Sequence, residues 1–545
     1  MPGSKRFEMP TGAGVLVEAL KEAGVKIVFG IPSVHNIPLY EALRTEPSIR
    51  HILCRHETTA ANMADGYART GQGLGVVLSS TGPGSGYTVP ALQEAWGSCS
   101  PVLMITTNIP ASKIGQGLGA LHELEGQDAL FQSITKATIT VREGDNIQPL
   151  TRAAIRTALS GRPGPVYLEV PTDLFDKPVS KGGERPAEKE ERVDVSYDLE
   201  RAVSLLHRSK QPIIIAGLAA VRAGIGSDIT TLAEILAAPV ITTIQAKGII
   251  PEDHPYAFGY AARGGLLREM VHSCDLALAV GTRLREVDGK HRGLRLPQLI
   301  HLDWDKRWVS RNFPTEVSIT GDLPTITKEL LDRIEPRSSV EERQRWITEM
   351  RSRVDQELSE IWKSNMEMHY LEVIRGALPR EGVLVVDNTQ LGYWADYFYP
   401  SYRPGGLIAA KGSITIGFAF PAAIGVRLAR PKKPIIALMG DGGFLYCAQE
   451  LATCIRNRIA FPVIVVNDNA YGAVAYFQRK FYQREYETRL TNPDFISLAH
   501  AFGAQATRVD SPAGLGEALH KAISSEELWM IELVATFPES PAGRY

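Results

Sequence analysis

Short apolar runs alternate with amphipathic segments of helical periodicity along most of the chain. Near the N-terminus, Thr11 precedes apolar residues at helical spacing and Gly24 follows them, which predicts a helix with a hydroxyl N-cap. Strand-like runs bounded by glycine or proline come next, at 26–29, 76–78 and 101–105. This alternation predicts a parallel sheet whose strands are joined by crossover helices.

Two later stretches repeat the alternation. The strand candidates of the middle stretch are 212–216, 239–242, 276–280 and 299–302. Those of the last stretch are 383–386, 434–439, 462–466 and 529–534. We therefore predict an α/β protein with three doubly wound parallel-sheet domains in series.

Two polar stretches separate the predicted units. Ser180–Val193 is rich in glycine and charge and cannot bury much apolar surface, so we interpret it as a linker. The charged stretch Glu335–Arg345 marks the second boundary. The predicted domains are residues 1–180, 193–335 and 360–545. A chain of 545 residues is also too long for a single hydrophobic core.

Composition and charge argue against several classes of function. Apolar residues make up 44% of the chain and charged residues 22%, as in ordinary globular proteins. A net charge of −2 offers no electrostatic basis for binding nucleic acid or an anionic membrane. The sequence has no membrane-spanning apolar run and no signal-peptide segment at its start. Its five scattered cysteines lack a CxxC pair, which predicts buried, reduced thiols in a cytoplasmic protein.

Acidic residues follow two neighbouring strands of the last unit. One strand ends in Gly440-Asp441-Gly442 and the other in Asn467-Asp468-Asn469. Carboxylates at adjacent strand ends, with glycines that let backbone N–H groups approach phosphate, suit a Mg2+-diphosphate. The alternative is two ordinary strand-to-helix turns, which Gly and Asp also favour.

Four further motifs are similar to those of a known family. They are Phe29-Gly30-Ile31-Pro32, Arg55-His56-Glu57 with Ala64-Asp65-Gly66-Tyr67-Ala68-Arg69, Thr81-Gly82-Pro83-Gly84, and Gly417-Phe418-Ala419-Phe420-Pro421-Ala422-Ala423-Ile424-Gly425. With the strand ends above, they resemble thiamine diphosphate enzymes of the acetohydroxyacid synthase, pyruvate oxidase and benzoylformate decarboxylase branch. The resemblance implies the thiamine diphosphate-binding fold, in which pyrimidine-binding (PYR) and diphosphate-binding (PP) domains flank a Rossmann-like middle domain.

The resemblance also implies a set of cofactor ligands. Glu57 would contact N1′ of the aminopyrimidine and favour the imino tautomer, although a glutamate there could simply stabilise a helix N-terminus. The side chains of Asp441 and Asp468 and the carbonyl of Ala470 would bind Mg2+. Most relatives have Asn in place of Asp468, and a carboxylate supplies the same oxygen with more charge. We expect Asn467 to stabilise the strand end instead.

Other residues match cofactor-contact positions of the family. Ile416 would lie beneath the cofactor and impose its bent shape, and the carbonyl of Ile414 would accept a hydrogen bond from the 4′-amino group. The alternative is an ordinary core isoleucine, and position rather than residue type supports the cofactor contact. The remaining implied cofactor contacts are Pro32, Asn388, Thr389, Gln390, Gly440, Gly442, Gly443, Tyr471 and Gly472.

Substrate specificity depends on a second set of positions. His35, in Ser33-Val34-His35, resembles the benzaldehyde lyase and 5-guanidino-2-oxopentanoate decarboxylase groups, and His122 stands where synthases have Gln. Both histidines are candidate proton-transfer groups, although a lone histidine is more often a solvated or core residue. We also expect Val34, His35, Gln127 and Phe477 to contact the substrate or shape its site.

The implied activity is non-oxidative decarboxylation of a 2-oxo acid, followed by joining of the remaining unit to an aldehyde or ketone acceptor, as in acetolactate synthases. Simple decarboxylation or acyloin cleavage with release of an aldehyde is the alternative. A non-catalytic regulatory subunit would be expected to lose Glu57 or Asp441. A nicotinamide oxidoreductase is disfavoured because no GxGxxG motif opens a helix after a strand.

The resemblance further implies how the active unit is assembled. Thiamine diphosphate and Mg2+ are the expected cofactors. FAD in the middle domain is compatible with the family but is not predicted by this sequence. Glu57 of one subunit would meet the cofactor held by another, so the smallest active unit would be a homodimer, and a homotetramer is implied.

Overall fold

The computed structural model describes residues 10–179, 196–286, 293–335 and 341–541. These residues form two compact units. The first contains the residues up to 179 together with Ala410–Pro431 and Cys447–Ile459, and the second contains the other described residues. The predicted linker Ser180–Val193 lies outside the described residues. The described part of the predicted boundary Glu335–Arg345 includes the start of a helix, Glu341–Ser364.

The first unit is built on a six-stranded, fully parallel sheet with the order β2-β1-β3-β4-β6-β5. The strands are β1 (Ile27–Gly30), β2 (Arg50–Leu53), β3 (Gly75–Ser79), β4 (Val102–Asn108), β5 (Ala137–Thr140) and β6 (Val166–Pro171). The helices are α1 (Gly12–Glu22), α2 (Ile37–Arg44), α3 (Glu57–Arg69), α4 (Pro83–Gly86), α5 (Val89–Gly97) and α6 (Ile147–Leu159). The Gly14 N–H donates to Thr11 Oγ1 at 3.2 Å, which confirms the predicted N-cap of α1.

The second unit contains two sheets, of which the first has the order β12-β11-β10-β7-β8-β9. Its strands are β7 (Pro212–Ala216), β8 (Val240–Thr242), β9 (Ala257–Tyr260), β10 (Leu276–Val280), β11 (Gln298–Asp303) and β12 (Val317–Thr320). Its helices are α7 (Ser196–Arg208), α8 (Leu218–Arg222), α9 (Gly226–Leu236), α10 (Gly265–Ser273) and α11 (Leu323–Arg333). Read from β9, this is the 3-2-1-4-5-6 order of the Rossmann fold, as predicted for the middle domain.

The third sheet has the order β14-β13-β15-β16-β18-β17, which repeats the order of the first sheet. Its strands are β13 (Val383–Val386), β14 (Leu407–Ala409), β15 (Ile435–Gly440), β16 (Pro462–Asn467), β17 (Gln505–Val509) and β18 (Trp529–Val534). The helices of this part of the chain are α12 (Glu341–Ser364), α13 (Met366–Ala377), α14 (Gln390–Phe398), α15 (Ala419–Ala429), α16 (Asp441–Phe444), α17 (Leu451–Asn457), α18 (Gly472–Tyr482), α19 (Phe495–Phe502) and α20 (Pro512–Ser524). Of these helices, α15 and α17 belong to the first unit.

All three sheets are parallel and have central strands buried along their whole length, as β4, β10 and β16 illustrate. Strands covered on both faces read as continuous apolar runs, which is why the sequence predicted them. The five cysteines are buried and free, in agreement with the sequence. Among the helices of the described residues, none combines the length and apolar composition needed to cross a bilayer.

Within the first unit, α3 and α15 pack backbone against backbone. A Cβ on Gly66 would lie 2.2 Å from the Ala422 carbonyl oxygen, and a Cβ on Gly425 would lie 1.9 Å from that of Met63. Only glycine permits these approaches, so both motifs that carry these residues, 64–69 and 417–425, are partly explained by packing.

Candidate active site

In the third sheet the strand order reverses between β13 and β15, and ligands of open α/β sheets bind outside the carboxyl ends of strands at such a point. Asp441 follows β15 directly and Asp468 follows β16. The two strands are adjacent and parallel, with Gly440 paired to Val466, so both carboxylates lie at the same sheet edge.

Asp441 and Asp468 form a pair of carboxylates in a largely desolvated position. Asp441 is buried, and its Oδ1 accepts a hydrogen bond from the Gly442 N–H at 2.8 Å. Burial raises the pKa of Asp441. Burial, together with the charge of Asp441, raises the pKa of Asp468 to about 6. A nearby cation would relieve both effects, so the pair fits a divalent metal ion.

The two carboxylates are the only acidic ligands this site offers a cation among the described residues. Within the described ranges, no group of three or more His, Cys, Asp and Glu side chains could hold a metal ion. A cation bound to Asp441 and Asp468 would therefore need backbone carbonyl and water oxygens as further ligands. Mg2+ commonly keeps several waters and takes one or two carboxylates, and Ala470 directly follows the loop residue Asn469.

Asn492 is a polar residue at this edge that the sequence did not reveal. Its Nδ2 donates to Asp441 Oδ2 at 2.7 Å, to Asn467 Oδ1 at 3.0 Å and to Asn469 Oδ1 at 3.2 Å. It lies in a loop without a recognisable motif, so no sequence signal pointed to it. Asn467 also donates to Glu532 Oε1 on β18 at 2.7 Å, in agreement with its predicted role at the strand end.

Two glycines pack closely against neighbouring groups around the two carboxylates. A Cβ on Gly442 would lie 2.6 Å from the Tyr471 ring, and one on Gly472 would lie 2.4 Å from Asp468 Oδ2. Gln390, at the start of α14, donates from Nε2 to the Gly472 carbonyl at 3.4 Å. Its Oε1 is buried and has no hydrogen-bond partner among the described residues, which fits a polar ligand here.

Asp387 holds the neighbouring segment after β13 through local hydrogen bonds. The Asn388 N–H donates to Asp387 Oδ1 at 2.8 Å, and the Thr389 N–H donates to the Asp387 carbonyl at 3.0 Å. A Cβ on Gly440 would lie 3.3 Å from Thr389 Oγ1. The predicted phosphate-contact residues Asn388, Thr389 and Gly440 are therefore brought together at the β13–β15 edge.

In the first unit, Glu57 is half-buried in the first turn of α3. His56 caps the helix, since its Nδ1 accepts a hydrogen bond from the Thr58 N–H at 3.2 Å. A Cβ on Gly84 would lie 3.3 Å from Glu57 Oε1, so the glycine of the 81–84 motif makes room beside the carboxylate. The arrangement leaves Glu57 at a helix N-terminus, where its charge is favoured.

Glu450 is a second residue that the sequence analysis missed. It is fully buried, and its Oε1 accepts hydrogen bonds from the Arg55 N–H at 2.9 Å and the Thr59 hydroxyl at 2.5 Å. Its Oε2 accepts one from the Thr453 hydroxyl at 2.5 Å. Burial raises the pKa of Glu450 overall, against these hydrogen bonds. Glu450 thus ties down the turn that carries Glu57.

The two predicted histidines contact each other. The rings of His35 and His122 lie 5.1 Å apart between centroids. His35 is 8% exposed, and its Nδ1 is buried without a hydrogen-bond partner among the described residues. Burial, followed by the neighbouring His122 ring, lowers the pKa of His35. At neutral pH His35 is therefore an uncharged ring beside a more exposed histidine.

Gln127 supports the loop next to these histidines. Its Oε1 accepts a hydrogen bond from the Gly82 N–H at 2.6 Å, and its Nε2 donates to the Thr107 carbonyl, Tyr167 Oη and Glu169 Oε2 at 3.0, 2.9 and 2.8 Å. The side chain is 1% exposed. Its observed contacts are thus with the protein, and contact with substrate stays a prediction.

Four further predicted site residues are exposed or half-buried. Pro32 and Val34 are exposed beside His35 in the first unit, and Ile416 is half-buried there. In the second unit, Phe477 is 37% exposed on α18 and stacks on Phe481, with 6.0 Å between ring centroids. Pro32, Val34 and Phe477 therefore keep solvent-exposed surface.

Three family models match the chain in the order of its three sheets. The N-terminal thiamine pyrophosphate (TPP) binding domain matches residues 10–131, the central domain of these enzymes matches 199–330, and the C-terminal TPP binding domain matches 387–533. The chain belongs to the thiamine pyrophosphate enzyme family.

Curated members of the thiamine pyrophosphate enzyme family are similar over nearly the whole chain. A probable acetolactate synthase large subunit from Methanocaldococcus jannaschii is 32% identical over 98% of this chain and 94% of that protein. A probable 2-ketoarginine decarboxylase from Pseudomonas aeruginosa is 32% identical over 96% and 94%. The acetolactate synthase large subunit of Lactococcus lactis is 29% identical over 99% and 96%.

Membership of the thiamine pyrophosphate enzyme family settles several predictions. The chain is a thiamine diphosphate-dependent enzyme, and the two TPP binding domain models match β1–β4 of the first sheet and β14–β17 of the third. The predicted three-domain α/β architecture is confirmed. The assignment of individual site residues, the metal and the final product stay predictions.

Proposed function

We propose that this enzyme binds thiamine diphosphate together with Mg2+ and removes carbon dioxide from a 2-oxo acid without oxidation. The observation that carries the proposal is the Asp441–Asp468 pair at the β15–β16 edge. Asp441, Asp468 and the carbonyl of Ala470 would hold Mg2+. The glycines at 440, 442, 443 and 472, with Tyr471, Asn388, Thr389 and Gln390, would let the diphosphate approach the backbone.

When bound, the cofactor supplies a nucleophilic carbon and an electron sink. The protein's own part is to position the substrate and move protons. Glu57 would hold a proton in a hydrogen bond to N1′ of the aminopyrimidine, and Glu450 keeps the turn around Glu57 in place. Ile416 and the Ile414 carbonyl would fix the shape of the cofactor.

The histidine pair supports protonation as the end of the reaction, with release of an aldehyde. His35 is a buried, uncharged ring with a free Nδ1, and its contact with the more exposed His122 gives a route for a proton. Within this proposal, Val34 and Gln127 border the substrate on the same side. The decarboxylase relative from Pseudomonas aeruginosa is consistent with this outcome.

Carboligation to a second carbonyl, as in the acetolactate synthase relatives, is the second candidate. The half-exposed Phe477, stacked on Phe481, offers an apolar wall for an aldehyde or ketone acceptor. Both reactions share the decarboxylation step. They differ only in whether the remaining acyl unit is protonated or joined to a second carbonyl.

The proposal is tested by incubating the loaded enzyme with a panel of 2-oxo acids, alone and with aldehydes, and measuring carbon dioxide and products. Aldehyde formation that falls in His35→Asn and His122→Asn, while a burst of about one carbon dioxide per site persists, would support protonation by the pair. Acyloin or acetolactate-like products would favour carboligation. No carbon dioxide from any 2-oxo acid, despite bound cofactor, would refute the proposal.

We further propose that the site is shared between subunits of a homodimer or homotetramer. This arrangement, in which Glu57 of one subunit meets the cofactor held by Asp441 and Asp468 of another, is what the resemblance to the family implies. Mixing inactive Glu57→Gln and Asp441→Ala proteins should then restore activity, because some mixed dimers would contain one intact site. The absence of recovery in verified mixed dimers would contradict this arrangement.

A further inference from the structure

Ile414 has a backbone conformation that isoleucine rarely adopts. Its φ is +63°, in the left-handed region, where a β-branched side chain is a genuine outlier. Its side chain is 51% exposed, so packing of the side chain does not explain the conformation. Such strain persists only where the surroundings impose it, and it clusters at functional sites.

The carboxylate of Glu94 binds the backbone of the turn that contains Ile414. Its Oε1 accepts a hydrogen bond from the Gly412 N–H at 2.8 Å. Its Oε2 accepts hydrogen bonds from the Ser413 and Ile414 N–H groups at 2.7 and 3.1 Å. Three successive N–H groups that converge on one anion form a backbone nest, which defines the path of the turn. Glu94 has no exposed surface.

Arg69 keeps the buried carboxylate charged and in place. Its Nη2 donates to Glu94 Oε1 at 2.9 Å, and its Nε and Nη2 donate to Asp65 at 2.9 and 2.6 Å. Burial alone would raise the pKa of Glu94, but the Arg69 guanidinium and the N–H donors of the turn lower it overall. The guanidinium also lies 4.6 Å from the ring centroid of Phe418.

Close backbone packing holds the turn against α5, the helix of Glu94. A Cβ on Gly97 would lie 2.4 Å from the Gly412 Cα, and a Cβ on Gly412 would lie 2.2 Å from the Glu94 carbonyl oxygen. The Ser98 hydroxyl donates to Glu94 Oε1 at 2.8 Å. The turn therefore has little freedom to move away from Glu94.

We propose that Glu94, supported by Arg69, is a positioning residue that holds Ile414 in its left-handed conformation and thereby orients the Ile414 carbonyl. The role rests on the proposed function, in which that carbonyl accepts a hydrogen bond from the 4′-amino group of the cofactor. Glu94 acts through the backbone of residues 412–414 and does not itself contact the cofactor.

The test compares Glu94→Gln with the matched control Asp65→Asn. Both substitutions remove one buried carboxylate that binds Arg69, but only the first weakens the acceptor of the 412–414 N–H groups. In the protein without cofactor, hydrogen exchange of peptides covering 410–418 should speed up about tenfold or more in Glu94→Gln, because the lost protection follows the opening free energy of the turn. Asp65→Asn should leave these peptides near the wild-type rate.

Cofactor affinity gives the second measurement. By calorimetric titration with thiamine diphosphate and Mg2+, Glu94→Gln should bind about tenfold more weakly, the size of change expected when the strain of one left-handed residue is no longer offset. Adding Ile414→Gly to Glu94→Gln should recover most of this loss, since glycine adopts a positive φ without a Cβ penalty. A loss due only to weakened folding would show no such recovery.

Four results would overturn the proposal, and the absence of recovery with Ile414→Gly is the first of them. Unchanged exchange and affinity in Glu94→Gln would do so, as would equal losses in Asp65→Asn. If Glu94→Gln does not fold, Arg69→Lys, which loosens Glu94 without removing it, should cause an intermediate loss of affinity, and no loss would contradict the role. A wild-type enzyme that binds no thiamine diphosphate would instead refute the proposed function. Because hydrogen exchange is measured without cofactor, it still tests the role of Glu94 in that case.

Discussion

Asp468 and Asp441 follow two adjacent strand ends, and burial, followed by the charge of Asp441, raises the pKa of Asp468 to about 6. An unfolded chain would release this proton near pH 4. Without a cation, the stabilising contribution of Asp468 is therefore fully present below about pH 4 and lost as the pH rises through 6. A divalent cation binds the ionised carboxylates, so the stabilisation that it gives increases as the pH rises through 6.

We accordingly expect Mg2+ to raise the midpoint of thermal unfolding mainly above pH 6, by about 2–4 °C for each kcal/mol of binding free energy in a domain of this size. The measurement is thermal unfolding with Mg2+ or chelator across this pH range. Asp468→Asn keeps an oxygen ligand but does not titrate, so its response to Mg2+ should vary less near pH 6. An Mg2+ effect independent of pH in the wild type would contradict the expectation.

Replacing Glu57 should separate cofactor binding from turnover. Glutamine keeps the size of the side chain but cannot exchange a proton with the aminopyrimidine. We expect Glu57→Gln to lower turnover of a 2-oxo acid by about 10²–10⁴-fold, the usual contribution of a positioned acid–base group. Calorimetric titration of thiamine diphosphate would check that binding persists, and the surface variant Glu22→Gln is the control. Wild-type turnover in Glu57→Gln would disprove the assigned role.

Loss of the buried hydrogen bonds to Glu450 should weaken the turn that carries Glu57. Glu450→Gln keeps the shape of the side chain but removes the charge that three donors share. We expect the free energy of unfolding to fall by about 1.5–3 kcal/mol, as for hydrogen bonds to charged groups. Urea unfolding measures this change. The milder Thr453→Val removes one donor and should cost less; equal costs would argue against a central role of the carboxylate.

Replacing two helical glycines with alanine should change the free energy of unfolding in opposite directions. Gly66 faces the backbone of α15, where a Cβ would lie 2.2 Å from the Ala422 carbonyl oxygen, whereas Gly376 in α13 has no atom within 4 Å of such a Cβ. We expect Gly66→Ala to destabilise by about 1–3 kcal/mol through overpacking. Gly376→Ala should be neutral or stabilise by up to about 1 kcal/mol, through helix propensity. Urea midpoints of both variants decide the point, and similar values would refute the packing argument.

The sequence predicted most inner strands of the three sheets but none of the edge strands. Runs such as 434–439 and 462–466 correspond to β15 and β16, because strands covered on both faces are continuously apolar. The strands at the sheet edges, β2, β5, β9, β12, β14 and β17, escaped prediction. Several are only partly buried and mix polar with apolar residues, as Gln505–Val509 does, so their pattern is weak. The inner strand β6 was also missed, and it includes the buried Glu169.

What the sequence determined by itself was the order of the three parallel sheets, the helix cap at Thr11 and a motif set that indicated one cofactor. These features are local, because they follow from residue spacing and turn chemistry. Only the tertiary structure decided which polar groups satisfy one another. Glu94 reaches the turn at Ile414, Glu450 reaches the start of α3, and Asn492 reaches Asp441. Buried polar groups must find partners, but those partners come from distant parts of the chain that only the folded packing brings together.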